Sequence, residues 1–201
     1  MTGRNSETLR LDRRRIVESL LADRGDLLVI AGLGAPCWDV TAAGDHDLTF
    51  PLWGGMGLAA SMGLGLALAR PDRRVLVVTG DGEMLMGIGS LATIAAQSPP
   101  NLAIAVLDNQ HYGETGMQET ATAFGTDLAG MAAAAGISVT GTVSDESGVG
   151  SAIDALRDAP GPVFQVFKVK AETLPKAIPP KDGAYLKDRF RTALLGKDSA
   201  I

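Results

Sequence analysis

Short, wholly apolar runs alternate along this chain with stretches of helical periodicity, and that alternation narrows its possible folds more than any other feature. Residues 27–31, 75–79, 102–107, 137–143 and 162–169 read as strands. All but 137–143 are apolar at most successive positions rather than at every second one, so both faces of the sheet they form must be covered. Helical spacing predicts helices over 6–24 (Leu9, Leu11, Ile16, Leu20, Leu21), 54–69, 83–97, 127–135 with Asp127 as its N-cap, 145–158 capped by Ser144, and 185–195. The expected fold class is therefore α/β: a doubly wound parallel sheet with helices on both faces. Residues 1–170, including the N-terminal helix, are expected to form a single α/β domain. Residues 171–182 carry three prolines, so 171–201 reads as a C-terminal arm and helix. That arm could pack on a partner or cover its own domain, and the sequence leaves both open.

Composition excludes several classes. The chain has 201 residues, of which 46% are hydrophobic and 4% aromatic, with 25 glycines. This suits a small-residue α/β core and argues against disorder. Net charge is −5; the densest basic run, Arg10 to Arg15, reads as the solvated face of the first helix, and no nucleic-acid partner is expected. Cys37, the single cysteine, reads as a small buried hydrophobe. His46, between two aspartates, reads as part of an exposed turn. There is no signal peptide and no apolar run long enough to span a bilayer, so no membrane association and a cytoplasmic location are expected.

Two of the expected strands end in suggestive residues. Gly80-Asp81-Gly82 follows the run at 75–79, and Asp108-Asn109 follows the run at 102–107. Ligands of open parallel sheets bind outside the carboxyl ends of the strands, and one helix plus one strand fills the interval between Asp81 and Asn109. The two strands are thus expected to be neighbours, with Asp81 and Asn109 facing one crevice. A carboxylate, an amide oxygen and a carbonyl from the following loop suit Mg²⁺, which completes its octahedron with water and phosphate oxygens. Gly80 and Gly82 would let a diphosphate approach the backbone, and the helix that follows would point its positive end there. Alone, Gly-Asp-Gly is a common turn and Asn109 a common loop residue; strand context and spacing give them joint meaning.

The stretch from Gly80 to Asn109 resembles the thiamine diphosphate signature. VIAGLGAPCWD (29–39), FPLWGGMGLAASMGLGLALA (50–69), RRVLVVTGDGEMLMGIGSLATIA (73–95) and LDNQHYGETGMQ (107–118) extend the resemblance to the sulfopyruvate and phosphonopyruvate decarboxylase family. It covers roughly residues 27–170 and is more specific to the cofactor than to the substrate. It implies metal ligation by Asp81, Asn109 and the backbone carbonyl of His111. It further implies diphosphate contacts at the amides of Gly113 and Glu114 and at Glu83. Met56 would wedge the cofactor into its bent form, with its amide at the pyrimidine, and the Gly54 carbonyl would accept from the 4′-amino group. Glu114 is the candidate for a direct proton role; for it, and for the neighbouring loop residues His111 and Gln118, the alternative is a solvated loop side chain.

Three departures stand out. Asp108 replaces the first Asn of the usual pair, Ala35 lacks the hydroxyl that many relatives place on the diphosphate, and Met117-Gln118-Glu119-Thr120 replaces Asn-Gln-Pro-Thr. A carboxylate at Glu119, if it faced the pocket, would repel a sulfonate or phosphonate. The glutamate that activates the pyrimidine belongs in this family to a separate pyrimidine-binding domain, for which the chain is too short. The resemblance therefore implies the diphosphate-binding subunit of a two-component 2-oxoacid decarboxylase using thiamine diphosphate and Mg²⁺, completed in a hetero-oligomer by a pyrimidine-domain partner and acting on a small 2-oxoacid. The alternatives are a carboligase or synthase subunit on the same cofactor, or a non-catalytic binding module. A nicotinamide fingerprint is absent, because Gly32-Leu33-Gly34-Ala35-Pro36-Cys37 lacks the third glycine.

Overall fold

The structure is a computed structural model in which residues 11–197 are described; Leu9, Arg10 and the rest of the first ten residues lie outside them. Six parallel strands form one sheet in the order β2-β1-β3-β4-β8-β7, built from β1 (Leu28–Ala31), β2 (Thr49–Pro51), β3 (Val75–Gly80), β4 (Leu102–Asp108), β7 (Val139–Val143) and β8 (Val163–Lys168). Side chains alternate between the faces, and in β1, β3, β4 and β8 both faces are buried, which is why these runs read as nearly continuously apolar; β7, at the edge, is only partly buried. Leu28, Ile30, Val75, Val77, Leu102, Ile104 and Phe164 pack under α3 (Ala59–Ala69), α5 (Ser90–Gln97) and α6 (Leu128–Ala135). Val29, Ala31, Leu76, Val78, Ala103, Ala105 and Phe167 pack under α1 (Arg13–Leu21), α2 (Ala35–Ala42) and α7 (Val149–Asp158). Cys37 is buried, as expected. Among the described residues no helix is long and apolar enough to cross a membrane.

The chain leaves β1 through α2 toward β2 and leaves β3 in the opposite direction toward β4, so a crevice opens between the tips of β1 and β3. Several local expectations are corrected here. The helix expected over 83–97 is two helices, α4 (Asp81–Met86) and α5, because Gly87 abuts Gly57, whose φ is +85°, and a Cβ at Gly87 would strike the Gly57 carbonyl. The same glycine loop starts α3 at Ala59 instead of 54. Asp145, not Ser144, accepts from the Ser147 amide at 3.0 Å before α7. Neither α2, which carries a proline in its first turn, nor the short edge strand β2 is expected from periodicity. Asp127 does cap α6, accepting from the Gly130 amide at 2.9 Å. His46 is half-buried, its Nδ1 accepting from the Leu48 amide at 3.0 Å.

The C-terminal arm and helix lie on the same body. α8 (Gly183–Leu195) sends Phe190 into the core, edge-on to Phe50 at 5.8 Å between ring centres. Arg189 pairs with Asp45, and Trp53 donates its indole N–H to the Pro180 carbonyl at 3.0 Å.

Candidate cofactor site

The tips of β3 and β4 are adjacent, with Gly80 opposite Leu107 in the parallel register. They open into a cleft of about 660 Å³, counting its mouth. Met56, Gly80, Asp81, Gly82, Glu83, Asn109, His111, Gly113 and Glu114 all line it; Gly54 is absent from its walls and lies exposed near Met56, and Gln118 does not line it either. Residues scattered over 59 positions thus converge on one surface, as parallel-sheet topology requires.

Asp81, 2% exposed, is fixed by two hydroxyls. Thr120 donates to its Oδ2 at 2.6 Å, and the Thr122 hydroxyl lies 3.1 Å from the same oxygen. Oδ1 accepts from no other described residue. Thr122 also reaches Asp108 Oδ1 at 2.8 Å, and the second Asp108 oxygen pairs with Lys168. Burial first, and the Asp108 carboxylate next, push the Asp81 carboxyl up to about 6; the two threonine hydroxyls pull it back down. Such a buried carboxylate, raised by a second negative group, gains from a cation.

At the tip of β4 the chain turns on its own side chains. Asp108 Oδ1 accepts from the Gln110 amide at 3.0 Å, and Asn109 Oδ1 accepts from the His111 amide at 2.9 Å. Gln110 is held at φ +63°, in the left-handed region. The His111 ring folds back, its Nδ1 2.8 Å from the Asn109 carbonyl, so it donates there. Among the described residues no three His, Cys, Asp or Glu side chains cluster to hold a metal. A cation at this cleft would rely on Asp81, Asn109, a backbone carbonyl and oxygens from water or ligand, a donor set that fits a hard divalent ion.

Glu83 points away from the cleft mouth. Its Oε2 accepts from Thr79 at 2.7 Å, and burial raises its pKa against the Thr79 hydroxyl and nearby backbone amides. Glu114 lies at the rim, where its carboxylate accepts from the Trp38 indole at 3.0 Å and from Lys176 on the arm at 2.6 Å. Lys176 also sits 5.5 Å above the Trp38 ring. Glu119 is exposed on β6 (Gln118–Glu119) and does not line the cleft, so the repulsion considered for it has no route to the pocket.

Four participants escaped the sequence reading. Tyr112 packs its ring against Gly82, where any Cβ would collide with it, so that glycine makes room for the aromatic ring. Thr120 and Thr122 hold Asp81 from a loop about 40 residues away. Lys168, at the end of β8, neutralises Asp108; its register opposite Asp108 follows from the strand pairing.

Residues 37–167 match the family model described as "Thiamine pyrophosphate enzyme, C-terminal TPP binding domain". This chain belongs to that family. The subunit beta of sulfopyruvate decarboxylase from Methanothermobacter thermautotrophicus is 37% identical over 90% of this chain and 94% of its own length. Sulfopyruvate decarboxylase of Methanosarcina acetivorans is 41% identical over 72% of this chain but only 36% of that protein. Phosphonopyruvate decarboxylase of Streptomyces viridochromogenes is 35% identical over 87% of this chain and 44% of that protein. The chain thus spans about a third to under a half of two relatives and nearly all of the third. Its fold matches the X-ray structure of a candidate thiamin diphosphate-dependent enzyme from Mycobacterium smegmatis, with a TM-score of 0.68, 22% identity, and coverage of 81% of this chain and 32% of that one. The fold and the cofactor class expected from the sequence are borne out.

Proposed function

We propose that this chain is the diphosphate-binding subunit of a two-component, thiamine diphosphate- and Mg²⁺-dependent decarboxylase of small 2-oxoacids. The observation that carries the reading is the convergence of Asp81 and Asn109 on one cleft at neighbouring strand tips. Asp81 Oδ1, the Asn109 amide oxygen and the His111 carbonyl would hold the metal. The amides of Gly113 and Glu114 and the backbone at Gly80 and Gly82 would face the diphosphate. The Glu83 carboxylate is turned toward Thr79, so its contact would come from its amide. Met56 would wedge the cofactor, with the Gly54 carbonyl beside it. When bound, the cofactor supplies the electron sink that makes loss of CO₂ feasible. A direct proton role for Glu114 would require its carboxylate to leave Trp38 and Lys176; a role in setting the loop's position suits its contacts better.

The activating glutamate would come from a pyrimidine-domain partner, in keeping with the relative named as a subunit beta, whose length this chain matches. The exposed apolar side chains Met56, Leu58 and Met86 line a groove at the mouth of the site and form the face proposed for that partner. Residues 1–170 would form the cofactor domain, with 171–201 an appendage that braces it.

The test mixes this chain with a pyrimidine-domain partner and measures CO₂ release from a panel of 2-oxoacids that includes sulfopyruvate and phosphonopyruvate. Turnover by the mixture and none by either component is the expected result. Turnover by this chain alone would contradict the half-enzyme reading. Cofactor binding without turnover of any substrate would favour a non-catalytic module, and a ligated product in place of an aldehyde would favour a carboligase.

A further inference from the structure

The basic run at the start of α1 reads as a solvated face, yet one of its arginines is inside. Arg13 is 4% exposed. Its Nε donates to Asp39 Oδ2 at 2.6 Å, and its Nη1 donates to the Glu172 carbonyl at 2.6 Å. Asp39, 1% exposed, accepts on its other oxygen from Arg14 Nε at 3.0 Å. Two guanidinium groups therefore share one buried carboxylate and leave a net positive charge. Neutralising Asp39 needs only one of them, and burying a second cation costs desolvation energy.

The two arginines differ in what else they meet. Arg13 lines the cofactor cleft beside Ala35 and Asn109, whereas Arg14 does not line it and turns to the Pro175 carbonyl on the arm. Arg13 Nη2 donates to no described residue. It is the only lysine or arginine among the described residues lining the cleft, whose walls otherwise carry the acidic residues Asp81, Glu83 and Glu114. Its charge also helps to hold the Glu114 carboxyl below the usual carboxylate range.

We propose that Arg13 is a binding residue for the cofactor's diphosphate, supplying in charge what Ala35 cannot supply as a hydroxyl. This rests on the reading of the cleft as a diphosphate site. A guanidinium presents paired N–H donors matched to phosphate oxygens, and Asp39 fixes its plane before the ligand arrives.

The test is calorimetric titration of the full chain with Mg²⁺-pyrophosphate and Mg²⁺-thiamine diphosphate. Arg13→Met should weaken both probes by roughly tenfold or more, the size expected for one charge-assisted contact. Arg13→Lys, which keeps Asp39 paired, should recover part of that loss. Arg14→Met removes the other partner of the same aspartate and should bind like the wild type. Equal affinity of Arg13→Met and wild type would overturn the assignment, and so would an equal loss in Arg14→Met, because a purely structural role for the Asp39 cluster predicts it. If the wild type binds neither probe, the reading of the cleft itself fails, and this assignment falls with it.

Discussion

The two rims of the cleft are built on opposite principles. At the tips of β3 and β4, Asp81, Asp108, Thr120 and Thr122 are all buried and joined oxygen to oxygen. At the other rim, Glu114 is held by Lys176 and Trp38, with the two charged side chains 36% and 49% exposed. Electrostatics are strong and geometry is fixed where water is excluded; they are weak and adjustable where it is not. The Asp81 carboxylate is thus oriented before any ligand arrives, while the loop and arm that border the cleft are joined by solvent-exposed contacts. A cofactor whose metal must be gripped and whose body must enter and leave suits such a division.

The sharpest way to break the comparison is at its rigid half. Asp81→Ala should weaken Mg²⁺-dependent thiamine diphosphate binding by about 3 kcal/mol, or roughly a hundredfold in affinity, because the cation that bridges the diphosphate to the strand tips would lose its one carboxylate ligand. Unchanged affinity in calorimetry would place the metal elsewhere.

A second test uses pH. Asp81 titrates at about 6 in the folded chain against 3.8 for its ordinary value. The folded state therefore holds its proton more tightly than the unfolded state does. The stability this confers is fully present below about pH 4 and is lost as pH rises through about 6. Between those limits the metal-free chain should lose on the order of 3 kcal/mol from this group. Asp81→Asn should flatten that part of the curve in urea unfolding. An unaltered pH dependence would mean that the carboxylate is not desolvated as its surroundings indicate. Mg²⁺ competes with the same proton, so its binding should tighten over the same range.

Thr122→Val removes one hydroxyl and leaves the shape nearly intact. It withdraws the single hydroxyl proton that lies between the Asp81 and Asp108 carboxylates, so the metal-free chain should lose about 1–2 kcal/mol in urea unfolding. A neutral result would assign the orientation of Asp81 to Thr120 alone.

The same contrast explains what the sequence discloses. Strand runs such as 75–79 and 102–107 are unmistakable because a sheet buried on both faces leaves few polar positions, Thr79 and Gln165 being two of them. Asp81 and Asn109 are readable because parallel topology sends every strand tip to one edge. The break at Gly87 is not, since it arises from contact with Gly57 some 30 residues earlier. Thr120, Thr122 and Lys168 act on carboxylates far away in the chain, and no local pattern marks them. Arg13 misleads most, because periodicity assigns arginines to the outside, and only the burial of Asp39 reveals why this one is inside.

The smallest effect belongs to the adjustable rim and separates the two halves most cleanly. Lys176→Met keeps an apolar stem over Trp38 but removes the charge that Glu114 meets. An ion pair this exposed contributes about 0.2–1 kcal/mol, so cofactor affinity should fall by no more than roughly fivefold at low ionic strength. Near 1 M salt the screening length is about 3 Å, and the difference from wild type should disappear. Trp38→Phe instead removes the uncharged indole donor, and its small effect should persist in salt. Asp81→Ala should stay defective at every ionic strength, because its partners are shielded from ions by burial. If the Lys176 defect survives high salt, the arm grips the loop through packing, and the rim is as rigid as the strand tips opposite it.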